Sequence, residues 1–189
     1  MPLTQLSATE RSGIKLNATG LFTMDSVMRA RNFNISTAFS TMQLNAAMGM
    51  GDLTTDSSLP LTLDAIASIG LADIELAYPS LGPNLRPLPR SSDLSLKADI
   101  DGTAGLINIR ELSASLPGFM DFKARGEIAD AMDFNKMSGQ VDLNGTFTGL
   151  NRLKPTLLEA KVAHMVNIPA MTLKGRVDYK PGEIDGRRR

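Results

Sequence analysis

Residues 120–128, with the sequence MDFKARGEI, decide the fold class because apolar and charged side chains alternate along them. Successive side chains of an extended strand point to opposite faces. Met120, Phe122 and Ile128 therefore share one face, while Asp121 and the other charged side chains take the other. The stretch predicts a β-strand with one apolar and one strongly polar face.

The same period of two recurs along most of the chain and predicts at least seven strands. Short, one-sided strands of this kind are typical of antiparallel meanders. We therefore predict an all-β protein. The apolar positions of the other runs are Ile14, Leu16, Ala18 and Phe22; Phe33, Ile35 and Phe39; Met42, Leu44, Ala46 and Met48; Leu94, Leu96, Ala98 and Ile100; Val141, Leu143 and Phe147; and Met171, Leu173, Val177 and Tyr179.

Helical signals are few. After Pro60, the spacing of Leu63, Ile66 and Ala67 fits a short helix, while Leu61 and Leu63 alternate equally well as a strand. Both interpretations stay open for this segment.

Two dipeptides are typical of turns. Asp101-Gly102 predicts a hairpin turn. Asn144-Gly145 lies inside a run whose apolar phase continues through Phe147, which favours a single strand there.

Prolines and a repeat divide the chain. Four of the ten prolines lie within residues 79–91, and proline cannot donate to a strand ladder. We predict a first sheet segment at 1–78, a Pro-rich connection at 79–91, and a second segment at 92–189. Similar phrases around Pro117 and Pro169 lie about 50 residues apart and predict two repeat-like units in the second segment.

Composition excludes several function classes. The chain has no Cys and one His, so Cys-based metal sites, thiol nucleophiles and multi-histidine sites are excluded. It has 20 basic and 20 acidic residues and no net charge, which disfavours nucleic acid as a partner. The sequence contains no run of 18 apolar residues, so it predicts no membrane-spanning helix. We predict no cofactor, no metal and no enzymatic activity.

One-sided strands must cover their apolar face, and two architectures do so. A closed β-sandwich is one. An open, curved sheet that receives an apolar ligand is the other. The open sheet is favoured by the 11 Met, the absence of Trp and the scarcity of large aromatic rings, since sandwich cores are usually anchored by aromatic residues.

Four runs resemble the AsmA-like/TamB group of bacterial envelope proteins. They are residues 92–103 (SDLSLKADIDGT), 106–117 (LINIRELSASLP), 122–128 (FKARGEI) and 137–150 (MSGQVDLNGTFTGL). The resemblance spans about residues 72–186 and contains no invariant catalytic residue.

This resemblance implies an elongated, taco-like open β-groove that conducts lipids between membranes. It implies a periplasmic location, with an inner-membrane anchor outside this segment, and partners in the inner and outer membranes. The expected ligand is a phospholipid or another acyl-chain lipid. The expected groove lining is Leu94, Leu96, Ile100, Met120, Phe122, Ile128, Val141, Leu143, Phe147, Met171, Leu173 and Val177. The alternative is a closed β-sandwich that acts as an adhesin-like or carbohydrate-binding module.

Overall fold

The strands of this protein form one continuous antiparallel sheet. The computed structural model describes residues 6–9, 15–77, 79, 93–133, 135–149, 169–180 and 183–188. The strands are β1 Leu6–Thr9, β2 Lys15–Met24, β3 Val27–Ser36, β4 Ser40–Gly49, β5 Leu61–Gly70, β6 Asp93–Gly102, β7 Leu106–Leu116, β8 Met120–Ala129, β9 Ser138–Phe147, β10 Met171–Lys180 and β11 Glu183–Arg188, and one short helix, α1 Leu71–Ala77, follows β5.

The order of strands across the sheet is their order in the chain, from β1 to β11. Among the described strands β1 does not pair with β11, so the sheet is open, as predicted, and not a closed sandwich. Most strands have ten residues, which corresponds to a width of about 33 Å along the strands. Eleven strands with neighbours about 4.8 Å apart give a sheet length of about 48 Å. These proportions are consistent with an elongated, curved sheet.

The segment after Pro60, for which the sequence allowed either a helix or a strand, forms a strand. Leu61 to Gly70 form β5 and pair with β4 and β6. Ile66 therefore lies on the opposite face from Leu63, and it is 56% exposed. The helix forms immediately afterwards, as α1.

Two smaller predictions were wrong. Asp101 and Gly102 end β6 and do not form the turn, which lies at residues 103–105, where Thr103 and Leu106 exchange backbone hydrogen bonds. Phe39 does not extend the alternation of β3, because that strand ends at Ser36 and Phe39 lies in the following turn. The single strand through Asn144-Gly145 is confirmed as part of β9.

Bulges in β3 and β7 keep the faces of the sheet in phase. In β7, two residues, Arg110 and Glu111, lie opposite the single residue Arg125 of β8. In β3, residues 31–32 lie opposite Asn45 of β4, and the Asn45 side chain accepts a 2.8 Å hydrogen bond from the backbone of residue 32. An extra residue shifts the alternation by one. The apolar positions before and after each bulge therefore stay on the same side.

The strands on either side of the proline-rich connection are hydrogen-bonded to each other. Leu63 of β5 lies opposite Ile100 of β6, and Ile69 lies opposite Leu94. The sheet therefore continues from the first half of the chain into the second. Most of the predicted connection at 79–91 lies outside the described residues.

Loops along one long edge of the sheet are tied to one another. This edge carries the loops between β2 and β3, β4 and β5, β6 and β7, and β8 and β9. Backbone hydrogen bonds of 2.9 Å join each loop to the next, from Met50 to Ser26, from Ala104 to Leu59 and from Asp130 to Gly105. These hydrogen bonds therefore link the hairpins from β2 to β9 along this edge.

The opposite edge is fixed by the buried carboxylate of Asp73 in α1. The hydroxyl of Thr37, in the turn between β3 and β4, and the hydroxyl of Ser40, the first residue of β4, both donate hydrogen bonds to Asp73. Ser40 Oγ in turn accepts a 3.1 Å hydrogen bond from the backbone of Gly70. A buried polar group must be paired in this way, and the arrangement holds α1 against the sheet.

Candidate functional site: an uncovered apolar face

Strand register places nearly all the apolar strand side chains on one face, here called the apolar face. Across the middle of the sheet, the residues opposite one another on successive strands are Ile35, Met42, Ala67, Leu96, Ala114, Phe122, Gly145 and Leu173. The other face, here called the polar face, carries the Asp, Lys, Arg, Ser, Thr and Asn side chains of the same strands. The apolar face is thus continuous across both halves of the chain.

Apart from Leu116 at the end of β7, the residues buried on this face are small ones. Ala18, Ala67 and Ala124 are buried, Ala124 to 4% exposure. Register places Leu112 and Leu143 on either side of Ala124. Larger cross-strand neighbours of this kind supply the cover, so no second layer of secondary structure is needed to bury these alanines.

Large side chains on the apolar face remain accessible. Leu112, Met171 and Leu173 are exposed, Met171 to 52%. Among the described residues, the most buried large side chains are Phe119, Leu71 and Leu116, at 4–6% exposure, and all three lie at one edge of the sheet, in α1, at the end of β7 and in the turn that follows it. The described part of the molecule is therefore a single layer, and its apolar face lacks the packed core of a two-layer domain.

All twelve residues proposed above as a groove lining lie on the apolar face. Register joins members of the set in two series. Across β8, β9 and β10 it aligns Met120 with Phe147 and Met171, and from β6 to β10 it aligns Ile100 with Ile109, Gly126, Val141 and Val177. Leu94, Leu96, Phe122, Ile128, Leu143 and Leu173 alternate in phase with these residues along their strands. The residues that the sequence singled out therefore form one surface.

Sequence reasoning missed the contribution of β7 to this face. Ile107 and Ile109 occupy odd positions, whereas Leu112, Ala114 and Leu116 occupy even ones. A strict period of two assigns these two groups to opposite faces, but the bulge at residues 110–111 reunites them. A signal was present in the sequence, because the change of phase occurs at two adjacent charged residues.

The polar face is held by cross-strand ion pairs. Lys97 Nζ lies 2.6 Å from Glu111 Oε2, and Arg110 Nε, at the bulge, lies 2.8 Å from Asp101 Oδ1. The hydrogen bond from Lys97 holds the pKa of the Glu111 carboxyl below its usual range and raises the pKa of Lys97 itself. Such exposed pairs stabilise a sheet weakly, and these two join β6 to β7 on the polar face.

The described residues contain no cluster of metal-binding side chains. No group of three or more His, Cys, Asp or Glu side chains suited to a metal ion occurs among them. No helix in the described part of the chain is long and apolar enough to cross a membrane. His164 lies outside the described residues.

Comparison with known proteins adds no relative. No family model, no curated protein and no solved structure matches this chain. A functional proposal for this protein therefore rests on the geometry of the sheet.

Proposed function

We propose that this protein binds the acyl chains of lipids along its apolar face and shields them from water, as the AsmA-like/TamB group does. The observation that carries the proposal is the continuity of the apolar face across nine strands, β2 to β10, while large side chains on it stay exposed. An exposed apolar area of this extent is typical of a surface with a ligand or partner.

The energetics of such binding need no specific polar contact. Covering one apolar side chain contributes about 1.5–3 kcal/mol. An acyl chain lying along the sheet touches side chains from several neighbouring strands, such as Leu96, Phe122 and Leu173, which register places on one line. Several such contacts are sufficient to retain a lipid.

The proposed role is non-catalytic and belongs to phospholipid transport or outer-membrane biogenesis. It places the protein in the periplasm, held by a membrane-anchored segment outside this chain and by partners in the two membranes. The adhesin-like or carbohydrate-binding alternative depended on a closed sandwich. The described strands form an open sheet instead, so that alternative loses its structural basis.

The proposal is tested by native mass spectrometry of protein purified without detergent. We expect phospholipid to accompany the folded protein and to be released only on denaturation, because the apolar face lacks another cover in the described residues. A denatured control and lipid extraction identify what was bound. Folded, monomeric protein that carries no lipid and takes up none from vesicles would contradict the proposal.

A further inference from the structure

A cavity on the polar face gathers basic side chains from two strands, β8 and β10, which lie on either side of β9. Lys123 of β8 and Lys174 of β10 lie directly opposite Asn144 of β9, one on each side. The cavity has a volume of about 310 Å³, and Arg125 contributes to its wall together with these residues. Two ammonium groups, a guanidinium group and a side-chain amide therefore converge on one space.

Most of the positive charge here is not neutralised by the protein. Arg176, beside the cavity, binds Asp142 through two hydrogen bonds of 2.7 Å. Lys123, Arg125 and Lys174 take part in no ion pair within the described part of the chain.

Two acidic side chains on the neighbouring strands lie near this group: Asp142 of β9, which lies in the cavity wall directly opposite Arg125 and is bound to Arg176, and Glu111 of β7. Lys123 and Arg125 act on the charge of Glu111, but its carboxylate is already bound to Lys97 at 2.6 Å. Lys123, Arg125 and Lys174 thus leave a local excess of positive charge. Because the formal net charge of the chain is zero, this excess is not a consequence of a basic composition.

We propose that this cavity binds a phosphate group. Phosphate oxygens accept charge-assisted hydrogen bonds from lysine and arginine, and the Asn144 amide lies between the two lysines to donate another. The volume accommodates a phosphate with its first substituent. The phosphate belongs either to a lipid headgroup, which would seat this face against a membrane surface, or to a free phosphate ion. The inference does not depend on acyl-chain binding, since it concerns the opposite face.

The test is a titration of the full chain with inorganic phosphate at constant ionic strength, followed through the side-chain amide signal of Asn144 by nuclear magnetic resonance. We expect a saturable shift. The double variant Lys123→Gln/Lys174→Gln is expected to raise the dissociation constant at least tenfold. Lys136→Gln, which removes a lysine paired with Asp133 outside the cavity, is the matched control and is expected to leave binding unchanged.

A second arm separates the two sources of phosphate. Vesicles that contain phosphatidylglycerol are sedimented with the wild-type protein and the double variant, and phosphatidylcholine vesicles serve as the neutral reference. Loss of sedimentation in the double variant assigns the site to a lipid headgroup. Loss of phosphate binding alone assigns it to free phosphate. A shift that does not saturate, that chloride reproduces, or that the double variant retains overturns the proposal.

Discussion

Leu143→Asp is expected to reduce the lipid retained by the purified protein about tenfold or more. Leu143 lies in the centre of the apolar face, opposite Ala124 on β8 and Gly175 on β10. In the lipid-free protein the new carboxylate is reached by water, because Leu143 is only half-buried. An acyl chain lying over it would remove that water, and burying an unpaired charge costs several kcal/mol. Each 1.4 kcal/mol is a tenfold loss of affinity. Extracted phospholipid per mole of protein is the quantity to measure.

Thr146→Asp is the matched control for this variant. It introduces the same side chain on the same strand three residues later, where the side chain lies on the polar face, is exposed and is outside the cavity described above. We expect its lipid content to equal that of the wild-type protein. A thermal melt of both variants checks that they are folded. Equal lipid contents in the two folded variants would contradict the assignment of the apolar face.

Gly126→Ala is expected to lower the melting temperature by about 10 °C. The Cβ added at Gly126 would lie 2.1 Å from the Gln140 carbonyl oxygen and 2.8 Å from the Val141 Cα, both in the backbone of β9. Backbone atoms cannot rotate away as a flexible side chain does, so β8 and β9 must separate. Overpacking of this kind costs about 3 kcal/mol, and each kcal/mol lowers the melting temperature of a chain of this size by about 2–4 °C. Circular dichroism during heating measures the change.

Gly118→Ala separates steric conflict from backbone strain. Gly118 has φ +71°, and nothing lies within 4 Å of a Cβ built there. Its replacement therefore adds only the strain of a left-handed backbone, about 1–2 kcal/mol. We expect a melting temperature only a few degrees below that of the wild-type protein. If the melting temperature of Gly118→Ala fell as far as that of Gly126→Ala, the close approach of β8 and β9 would not be the reason that position 126 requires glycine.

Strands with regular alternation could be predicted from the sequence because the required information is local. β6, β8, β9 and β10 each keep one apolar phase throughout, so the apolar positions could be assigned without knowing the neighbouring strands. Leu96, Phe122 and Leu173 were identified in this way, and register places them on one line across the sheet. The openness of the sheet was also favoured by the sequence, through its scarcity of large rings.

Features that depend on the neighbouring strands could not be predicted in the same way. The bulge at Arg110 and Glu111 is stabilised by partners on β6, so alternation alone split β7 between two faces. Helix α1 is held by hydrogen bonds to Asp73 from residues more than 30 positions away. Ile66 interrupts the alternation of β5, because it is an apolar residue on the polar face. In the first two cases contacts with distant residues, which the local pattern does not contain, decide the structure.

The most direct test of the central claim is photocrosslinking from two adjacent positions of one strand. A benzophenone side chain replaces Phe147, on the apolar face of β9, or Thr146, which is exposed on the polar face. After irradiation in the presence of phospholipid with labelled acyl chains, our account predicts labelled protein from position 147 and background labelling from position 146. Equal labelling from both positions, or labelling from position 146 alone, would contradict the binding of acyl chains along the apolar face.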